Sequence, residues 1–352
     1  MKPAMKKIIC VGDLCADLII PYGEAKSNIS AIKEGEIKSQ SVELRSGGTV
    51  GNTCRVLGRL GSKPFFITDL CDDSLGRFLR TEMEKDGVDM SYSPLGEYGA
   101  MVCIAVLDDN NDRTMFSWVP PGSRYPTFSD ESFSEELFSE DAIIFTGGMV
   151  LNNDPDSMAA VYRFIKRMKE KTDSMFIFDL NTRIESYGLN EIRRYYYDRY
   201  IELADIILGS GMEEFGPITG GSDLSECASR LAAGGRTVIA RDGAGPVLIA
   251  RPLDKRTEGP EKDRNASEDD KGGAAAAGKE ELSEAYDAEL ESIPVTPVKA
   301  VSTVGAGDSF DAAFIHALSR GNGLSDCVRF ANRIAGHVIS HAGHLDVGPE
   351  QI

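Results

Sequence analysis

Short apolar runs that alternate with amphipathic helical periods constrain the fold of this chain more than any other feature of its sequence. Lys6–Gly12 has the composition of a buried strand. Five later runs share that composition: Pro64–Thr68, Ala142–Thr146, Met175–Asp179, Ile206–Leu208 and Thr237–Ala240. Strands that alternate with helices predict an α/β fold with a mostly parallel sheet, covered by helices on both faces.

The 352 residues are enough for one large α/β domain, and we interpret 1–352 as a single domain. Ligands of parallel α/β sheets bind beyond the carboxyl ends of the strands. Asp179, Gly209 and the segment after Val301 are therefore expected to face one crevice.

Three stretches do not follow this alternation. Segments of about 14–45 and 98–121 look like β structure without intervening helices, the second with a polar turn at Asp108–Asp112. They would form either a small sheet over the crevice, a lid, or an ordinary extension of the main sheet. Residues 254–291 contain thirteen acidic and six basic residues and few large apolar side chains. This composition predicts a solvated low-complexity insertion.

Composition excludes several classes of partner. A net charge of −18 repels nucleic acid and anionic membranes, so neither is expected as a partner. No apolar run approaches the roughly 20 residues of a membrane span, and the first residues lack the features of a signal peptide. The seven cysteines are scattered and form no C-x-x-C pair. This pattern favours a reduced, cytoplasmic setting and argues against a zinc site.

The segment Val301–Gly321, VSTVGAGDSFDAAFIHALSRG, carries the strongest indication of function. A strand-like approach over Val295–Val301 leads into a glycine-rich turn that opens a helix. Gly305 and Gly307 allow the turn to present free N–H groups at a helix N-terminus, where the helix dipole favours negative charge. Such a site can stabilise a phosphoryl group that gains charge in a transition state.

Asp308 follows this turn, in the first turn of the predicted helix. Two interpretations are open for its carboxylate. It is either an acid favoured by the helix dipole, or a general base that accepts a proton from a hydroxyl nucleophile. The segment is neither a Walker A loop nor a dinucleotide-binding G-x-G-x-x-G motif.

The sequence STVGAGDSFDAAF resembles the C-terminal signature of ribokinase-like (PfkB-type) carbohydrate kinases. Arg45–Gly61, RSGGTVGNTCRVLGRLG, resembles the N-terminal signature of the same family. The stretches VGDLCADLI, DDSLGRFL, DGVD and FDLNTR also resemble family segments, so the likeness covers nearly the whole chain except the acidic insertion. The resemblance implies a three-layer α/β/α ribokinase-like fold with a small β-sheet lid.

The resemblance also implies roles at the acceptor side of the site. Asp308 would be the general base, and the amides of Gly305, Ala306 and Gly307 would form the anion hole. The implied substrate-binding residues are Asp13, Asp17, Gly47, Gly48 and Asn52. Their simpler interpretations are strand-end polarity for the two acids, a loop before a helix for the glycines, and a solvent-facing helix position for the asparagine.

On the nucleotide side, the resemblance implies ATP and Mg²⁺, and Glu214 would organise the metal. The family's asparagine three positions earlier is Gly211 here, and Glu213 is an alternative acid. The implied nucleotide-binding residues are Gly243, Gly245 and Asn332, although each is also compatible with a plain turn or a helix surface. Ser302 replaces an acid that many relatives use to hold a monovalent cation, so potassium activation is not expected.

Together these features predict a kinase that transfers phosphate from ATP to a hydroxyl of a neutral sugar or related polyol. A sugar phosphate would require clustered cations near the lid, and Arg45, Arg55 and Arg113 form no obvious cluster in the sequence. A nucleoside kinase and a non-catalytic nucleotide- or sugar-binding regulator are the alternatives. The resemblance further implies a homodimer formed through the lid.

Overall fold

The computed structural model describes residues 6–21, 42–96, 100–107, 113–119, 126–152, 154–253, 288–301, 303–341, 345, 347–348 and 351. In chain order the strands are β1 (Lys7–Val11), β2 (Cys15–Pro21), β3 (Glu43–Gly47), β4 (Phe65–Ile67), β5 (Leu70–Cys71), β6 (Leu95–Gly96), β7 (Val102–Leu107), β8 (Arg113–Trp118), β9 (Ala142–Gly147), β10 (Met175–Asp179), β11 (Ile206–Ser210), β12 (Thr237–Arg241), β13 (Val247–Pro252) and β14 (Ala288–Ile293). The helices are α1 (Thr49–Arg59), α2 (Ser74–Lys85), α3 (Pro155–Lys171), α4 (Ile184–Tyr187), α5 (Glu191–Leu203), α6 (Gly211–Thr219), α7 (Leu224–Ala232), α8 (Ala306–Ser319) and α9 (Leu324–Ile339).

The main sheet has eight strands in the order β14-β13-β12-β11-β10-β9-β1-β4. The strands from β12 to β4 run parallel, and β13 and β14 extend one edge antiparallel. Both faces are buried, because Ile8 and Cys10 of β1 pack into one apolar core while Ile9 and Val11 pack into the other. Helices α1, α2, α8 and α9 cover the first face, and α3, α5, α6 and α7 cover the second. The predicted three-layer α/β/α architecture is confirmed.

Helix α3 shows how local chemistry sets these elements. The Asp154 carboxylate accepts hydrogen bonds from the first backbone N–H groups of the helix, and Pro155 occupies its first turn, where a missing N–H has no cost. Val161, Phe164 and Met168 recur on one face and are buried against the sheet.

A second sheet of four strands, in the order β3-β2-β7-β8, has no strand in common with the main sheet; we call it the lid sheet. Strand β2 pairs antiparallel with β3 and parallel with β7, and β7 pairs antiparallel with β8. The register aligns Arg45, Asp17, Cys103 and Ser117 in one row across the four strands. Because side chains alternate between faces along a strand, this row shares one face of the lid sheet.

The alternating β and α segments of the sequence correspond to the strands of the main sheet and the helices that cover it. A predicted strand and the end of the predicted insertion differ from the structure. Val295–Val301 is not a strand, since the last strand ends at Ile293. The predicted insertion 254–291 overlaps this strand at residues 288–291, and the rest of it lies outside the described residues, as do the turn 108–112 and Ser302.

Two features bear on the setting of the chain. Within the described ranges, no helix is long and apolar enough to cross a membrane. All seven cysteines belong to described segments, and all are buried free thiols.

Candidate active site

The turn before α8 presents backbone N–H groups to the crevice. Gly305 has φ +74°, a left-handed conformation that favours glycine, and it opens the helix at Ala306. Among the described residues, the amides of Gly305 and Gly307 have no hydrogen-bond partner, and the amide of Ala306 makes only a long contact of 3.4 Å to the carbonyl of Thr303. The three predicted anion-hole residues therefore lie together, with amides available to a ligand.

The Asp308 carboxylate lies directly beside this turn. Asn52 Nδ2 donates a hydrogen bond of 2.8 Å to Asp308 Oδ2, and the Thr53 hydroxyl donates to the Asp308 carbonyl at 3.3 Å. Burial raises the pKa of the Asp308 carboxyl to about 7, although the Asn52 hydrogen bond and the charge of Arg183 act in the opposite direction. At neutral pH this carboxyl is poised between its protonated and charged forms, which suits a general base.

Asp13 anchors the helix that carries Asn52. Its two carboxylate oxygens accept hydrogen bonds from the amides of Thr49 (2.8 Å) and Val50 (3.2 Å), at the N-terminus of α1. Burial raises the pKa of Asp13, and these hydrogen bonds oppose the rise. Gly48 has φ +94°, and a Cβ at this position would lie 2.7 Å from the Asp13 carbonyl oxygen. This close approach requires a glycine at position 48.

Asp17 projects from the lid sheet toward the same region. A Cβ at Gly47 would lie 2.2 Å from Asp17 Oδ2, so the glycine leaves room for the carboxylate. The Cys15 thiol donates to Asp17 Oδ1 at 3.3 Å. The structure thus explains Gly47, Gly48 and the two acids by their mutual packing, and the contacts of these residues and of Asn52 with a substrate stay predictions.

A cavity of about 160 Å³ lies between the lid sheet and α1. Its lining comes from the lid sheet, α1, α2 and the turn before α8: Asp17, Ile19, Leu44, Arg45, Ser46, Asn52, Arg55, Arg59, Glu82, Val304, Gly305 and Leu345. Asp17, Asn52 and Gly305, three of the predicted site residues, are in this lining.

Three arginines, Arg45, Arg55 and Arg59, line the same cavity. Asp86 holds two of them, since its carboxylate oxygens accept from Arg55 Nε at 2.6 Å and Arg59 Nε at 2.8 Å. Of the arginines considered in the sequence, Arg45 and Arg55 line this cavity, and Arg59, which was not considered, joins them. Arg55 and Arg59 lie one helical turn apart on α1, and Arg45 comes from the neighbouring strand β3.

A buried arginine that the sequence analysis missed connects the strand ends to the glycine turn. Arg241, the last residue of β12, donates to the Gly307 carbonyl at 3.0 Å and to the Gly209 carbonyl at 3.2 Å. It also pairs with Asp179 at 3.0 Å and with Asp311 at 2.7 Å. Burial acts to raise the pKa of Asp179, but Arg241 holds it below its usual value. Asp179, Gly209 and the segment after Val301 meet as the sequence predicted.

The segment after β10 holds a second cation near the carboxylates. Asn181 and Arg183 have φ of +29° and +45°, which is uncommon for residues other than glycine. Asn181 Nδ2 donates to the Thr49 hydroxyl at 3.0 Å, and Arg183 Nε donates to Asn181 Oδ1 at 2.8 Å. The charge of Arg183 lowers the pKa of Asp308. This unusual backbone thus places a cation near the base.

Glu214 lies in the first turn of α6, where its Oε2 accepts the Ser210 amide at 2.7 Å. Burial raises its pKa to about 8, and the charge of Asp179 adds to the rise. A bound cation would relieve this cost, so the group fits a role beside Mg²⁺. Gly211 has φ +64°, a left-handed conformation that glycine adopts without strain and asparagine also tolerates. Glu213 is exposed.

The predicted nucleotide-binding residues occupy different surroundings. Gly243, with φ +55°, and Gly245 form the turn between β12 and β13, directly after Arg241. Asn332 lies on α9, which packs against α8. Its Nδ2 is buried and has no hydrogen-bond partner among the described residues. An unpaired buried donor is costly, and a ligand acceptor would satisfy it.

The chain matches the family described as pfkB family carbohydrate kinase over residues 5–263 and 272–350. The 5-dehydro-2-deoxygluconokinase of Halalkalibacterium halodurans is 24% identical over 334 residues, which cover 94% of this chain and 91% of that protein. The enzyme of the same name from Bacillus subtilis is 22% identical over 340 residues, covering 94% and 92%.

Two solved structures have the same fold. Aminoimidazole riboside kinase from Salmonella enterica, complexed with aminoimidazole riboside and an ATP analog, has a TM-score of 0.71 at 24% identity, with 98% of this chain and 97% of that chain covered. Fructokinase from Vibrio cholerae O395, bound to fructose, ADP and calcium ion, has a TM-score of 0.72 at 20% identity, with 97% and 95% covered.

Proposed function

Because this chain belongs to the pfkB family of carbohydrate kinases, we propose that it transfers the γ-phosphoryl group of ATP to a hydroxyl of a small sugar or sugar derivative, with Asp308 as the general base. The observation that carries the proposal is the placement of the Asp308 carboxyl, whose pKa burial raises to about 7, beside the turn before α8, where the Gly305 and Gly307 amides have no hydrogen-bond partner among the described residues.

The reaction follows from the properties of these groups. Asp308 takes the proton of the acceptor hydroxyl, and the resulting oxygen attacks the γ-phosphorus of ATP in line while the bond to ADP breaks. The N–H groups of Gly305, Ala306 and Gly307 stabilise the charge that spreads over the transferred phosphoryl oxygens. Asn52 orients the carboxylate through its 2.8 Å hydrogen bond.

The nucleotide and its metal have candidate partners on the other side of the crevice. The turn containing Gly243 and Gly245 would line the nucleotide, together with Asn332, whose buried Nδ2 has no partner within the part of the chain that the structure describes. Glu214 would hold Mg²⁺ through water, because its buried carboxyl prefers a nearby cation. Mg²⁺ would neutralise charge on the phosphate oxygens.

A sugar acid is a second candidate acceptor, because three arginines line the cavity. Each of them also pairs with an acid, Arg45 with Glu43 and Arg55 and Arg59 with Asp86, so an anionic substrate would compete for these pairs. A carboxylate binds well to a guanidinium group, whereas a neutral sugar gains less from this cluster. The name of the relatives, 5-dehydro-2-deoxygluconokinase, describes a kinase of a sugar acid. The net charge of −18 makes a local cluster of positive charge necessary for any anionic substrate.

A coupled assay of ADP release over neutral sugars, sugar acids and nucleosides tests these proposals. Turnover with an alcohol acceptor that disappears in Asp308→Asn supports the general base. Arg55→Gln should raise KM for a sugar acid about tenfold or more and leave KM for a neutral sugar within about twofold. Nucleotide binding without turnover on any acceptor would favour the regulatory alternative.

The outer face of the lid sheet supports pairing with a second copy of the chain. Its register aligns Leu18, Ile104 and Phe116 in one apolar row, which continues to Leu44 at the edge strand, a residue that also lines the cavity. Phe116 and Trp118 are 45% and 51% exposed. Exposed apolar patches of this kind mark interaction surfaces. Phe116→Glu should convert a dimer into a monomer in light scattering, whereas Tyr195→Glu, an exposed aromatic on α5, should not. A wild-type monomer would refute the pairing.

A further inference from the structure

A cysteine from β7, Cys103, meets an acid and a cysteine from β2, the cysteine 88 residues earlier, on the crevice face of the lid sheet. The register places Cys103 directly across from Asp17, and Cys15 lies two residues before Asp17 on the same strand, so all three side chains share one face. Their thiol and carboxylate atoms lie within 4.8 Å of one another. Cys15 and Cys103 are 3% and 9% exposed.

The spacing of these atoms matches the edges of a coordination tetrahedron. The two Sγ atoms are 3.9 Å apart, and Cys15 Sγ lies 3.3 Å from Asp17 Oδ1. With metal–sulfur bonds of about 2.3 Å and metal–oxygen bonds of about 2.0 Å, a tetrahedral zinc ion requires S···S and S···O edges of about 3.8 and 3.5 Å. Two of the three edges therefore fit a shared ion closely, and the third, from Cys103 Sγ to the Asp17 carboxylate, lies within 4.8 Å.

A disulfide is a poorer use of the same cysteines. Cys15 and Cys103 are diagonal rather than directly opposed neighbours, since Asp17 is the residue opposite Cys103. Diagonal positions on neighbouring strands are roughly 7–8 Å apart, beyond the Cα separation of about 4.4–6.8 Å that disulfides prefer. A bridging ion spans this gap, whereas an S–S bond requires the strands to shift.

We propose that Cys15, Asp17 and Cys103 form a binding site for one thiophilic divalent cation of the Zn²⁺ or Cd²⁺ type. Two sulfur ligands and one carboxylate oxygen select such ions over Mg²⁺, which prefers oxygen ligands only. Binding releases the two thiol protons to solvent as two metal–sulfur bonds and one metal–oxygen bond form. Three protein ligands leave the fourth position for water or a substrate oxygen.

A cation bound at this site would change the cavity because Asp17 is one of its ligands. This residue lines the cavity between the lid sheet and α1, so an ion that takes its carboxylate removes a hydrogen-bond acceptor from the cavity. Zn²⁺ should therefore inhibit phosphoryl transfer by competing with the acceptor. This consequence rests on the proposed kinase function, whereas the ion site itself does not. The sequence argued against zinc because the cysteines are scattered and form no C-x-x-C pair. Cys15 and Cys103 are 88 residues apart, and only the pairing of β2 with β7 unites them.

Titration of the metal-free full chain with Cd²⁺, followed by thiolate-to-cadmium charge-transfer absorption, tests the site. We expect one equivalent to bind and Zn²⁺ to displace it. Cys103→Ala should weaken binding at least about 100-fold, and Asp17→Asn about tenfold or more. The matched control is Cys54→Ala, because the Cys54 thiol also interacts with a second buried thiol, Cys10. Among the described residues, no carboxylate oxygen lies close enough to both thiols to complete a three-ligand group.

Binding in Cys103→Ala within about threefold of wild type, or no binding in wild type, overturns the proposal. Circular dichroism shows whether each variant is folded, and the nearly isosteric Asp17→Asn decides the question if Cys103→Ala is not. Inhibition of acceptor-dependent ADP release by Zn²⁺, and its reversal by a chelator, is measured separately. A chain that binds Cd²⁺ but turns over no acceptor would retain the ion site and lose the kinase assignment.

Discussion

Truncation of Asn52 to alanine should move the pH dependence of catalysis, because Asn52 stabilises the charged form of Asp308. Asn52 Nδ2 donates a 2.8 Å hydrogen bond to Asp308 Oδ2, and this bond opposes the effect of burial, which still leaves the pKa of Asp308 raised to about 7. A hydrogen bond to a charged group contributes about 1.5–3 kcal/mol. Since one pKa unit corresponds to about 1.4 kcal/mol, its loss should raise the pKa of Asp308 by about one to two units.

This shift predicts a defect that depends on pH. With a pKa of about 7, half of the Asp308 carboxyls are charged at pH 7, compared with about 9% at a pKa of 8 and about 1% at a pKa of 9. Asn52→Ala should therefore lower kcat/KM about 5- to 50-fold at pH 7 and recover most of this loss near pH 10. The limb of the profile that rises with pH should move to higher pH by the same one to two units.

The assay is the coupled measurement of ADP release, run from pH 5 to 10 under conditions in which the coupling enzymes are never limiting. Asn322→Ala is the matched control, because it makes the same truncation at an exposed residue beyond the opposite end of α8. Its profile should coincide with that of the wild type. A uniform loss of kcat/KM at every pH would show that Asn52 acts only on the substrate, and the reasoning from Asp308 would be refuted.

Three further substitutions test the site. The raised pKa of Asp308 means that the folded state favours the protonated carboxyl, so the charged carboxylate costs stability as the pH rises from about 4 to above 7. In urea titrations, Asp308→Asn should therefore raise the free energy of unfolding by about 1–3 kcal/mol at pH 8 and leave it unchanged at pH 4. In the same assay, Arg241→Met should lower the free energy of unfolding by about 3–5 kcal/mol, because it leaves the buried acids Asp179 and Asp311 without their partner. Arg163→Met removes an exposed ion pair with Asp130 and should lower it by less than about 1 kcal/mol. Gly305 has φ +74°, so Gly305→Ala should lower the free energy of unfolding by about 1–2 kcal/mol and also lower kcat. Gly323 has φ −68°, so Gly323→Ala should change neither thermal unfolding nor turnover appreciably. Equal effects in a variant and its control would contradict the corresponding argument.

The alternation of strands and helices predicted the layered sheet because burial on both faces requires continuous apolar strands, and that pattern is local. It also placed Asp179, Gly209 and the glycine turn at one edge, because parallel strands end together. Arg241 was missed because a single arginine forms no motif. Its position directly after the buried run Thr237–Ala240 was the available indication, by the same rule that identified Asp179.

Contacts set by strand register could not be predicted from the sequence. Cys15 and Cys103 meet only because β2 pairs with β7 in one particular register, and a shift by one residue would turn one thiol to the other face of the lid sheet. The same limit applies to the arginines of the cavity. Arg45 lies on β3 and Arg55 on α1, so their proximity depends on how the lid sheet packs against the helix.

The electrostatics of Asp308 bear on the two interpretations that the sequence left open. An acid retained only for its favourable interaction with a helix N-terminus should have a lowered pKa and should stabilise the fold. Burial instead raises the pKa of Asp308, and the nearby carboxylates of Asp13 and Asp179 add to the rise. The group therefore costs stability at neutral pH, which supports a role in chemistry. A loss of stability at pH 8 in Asp308→Asn would favour the structural interpretation and remove the main support for Asp308 as the base.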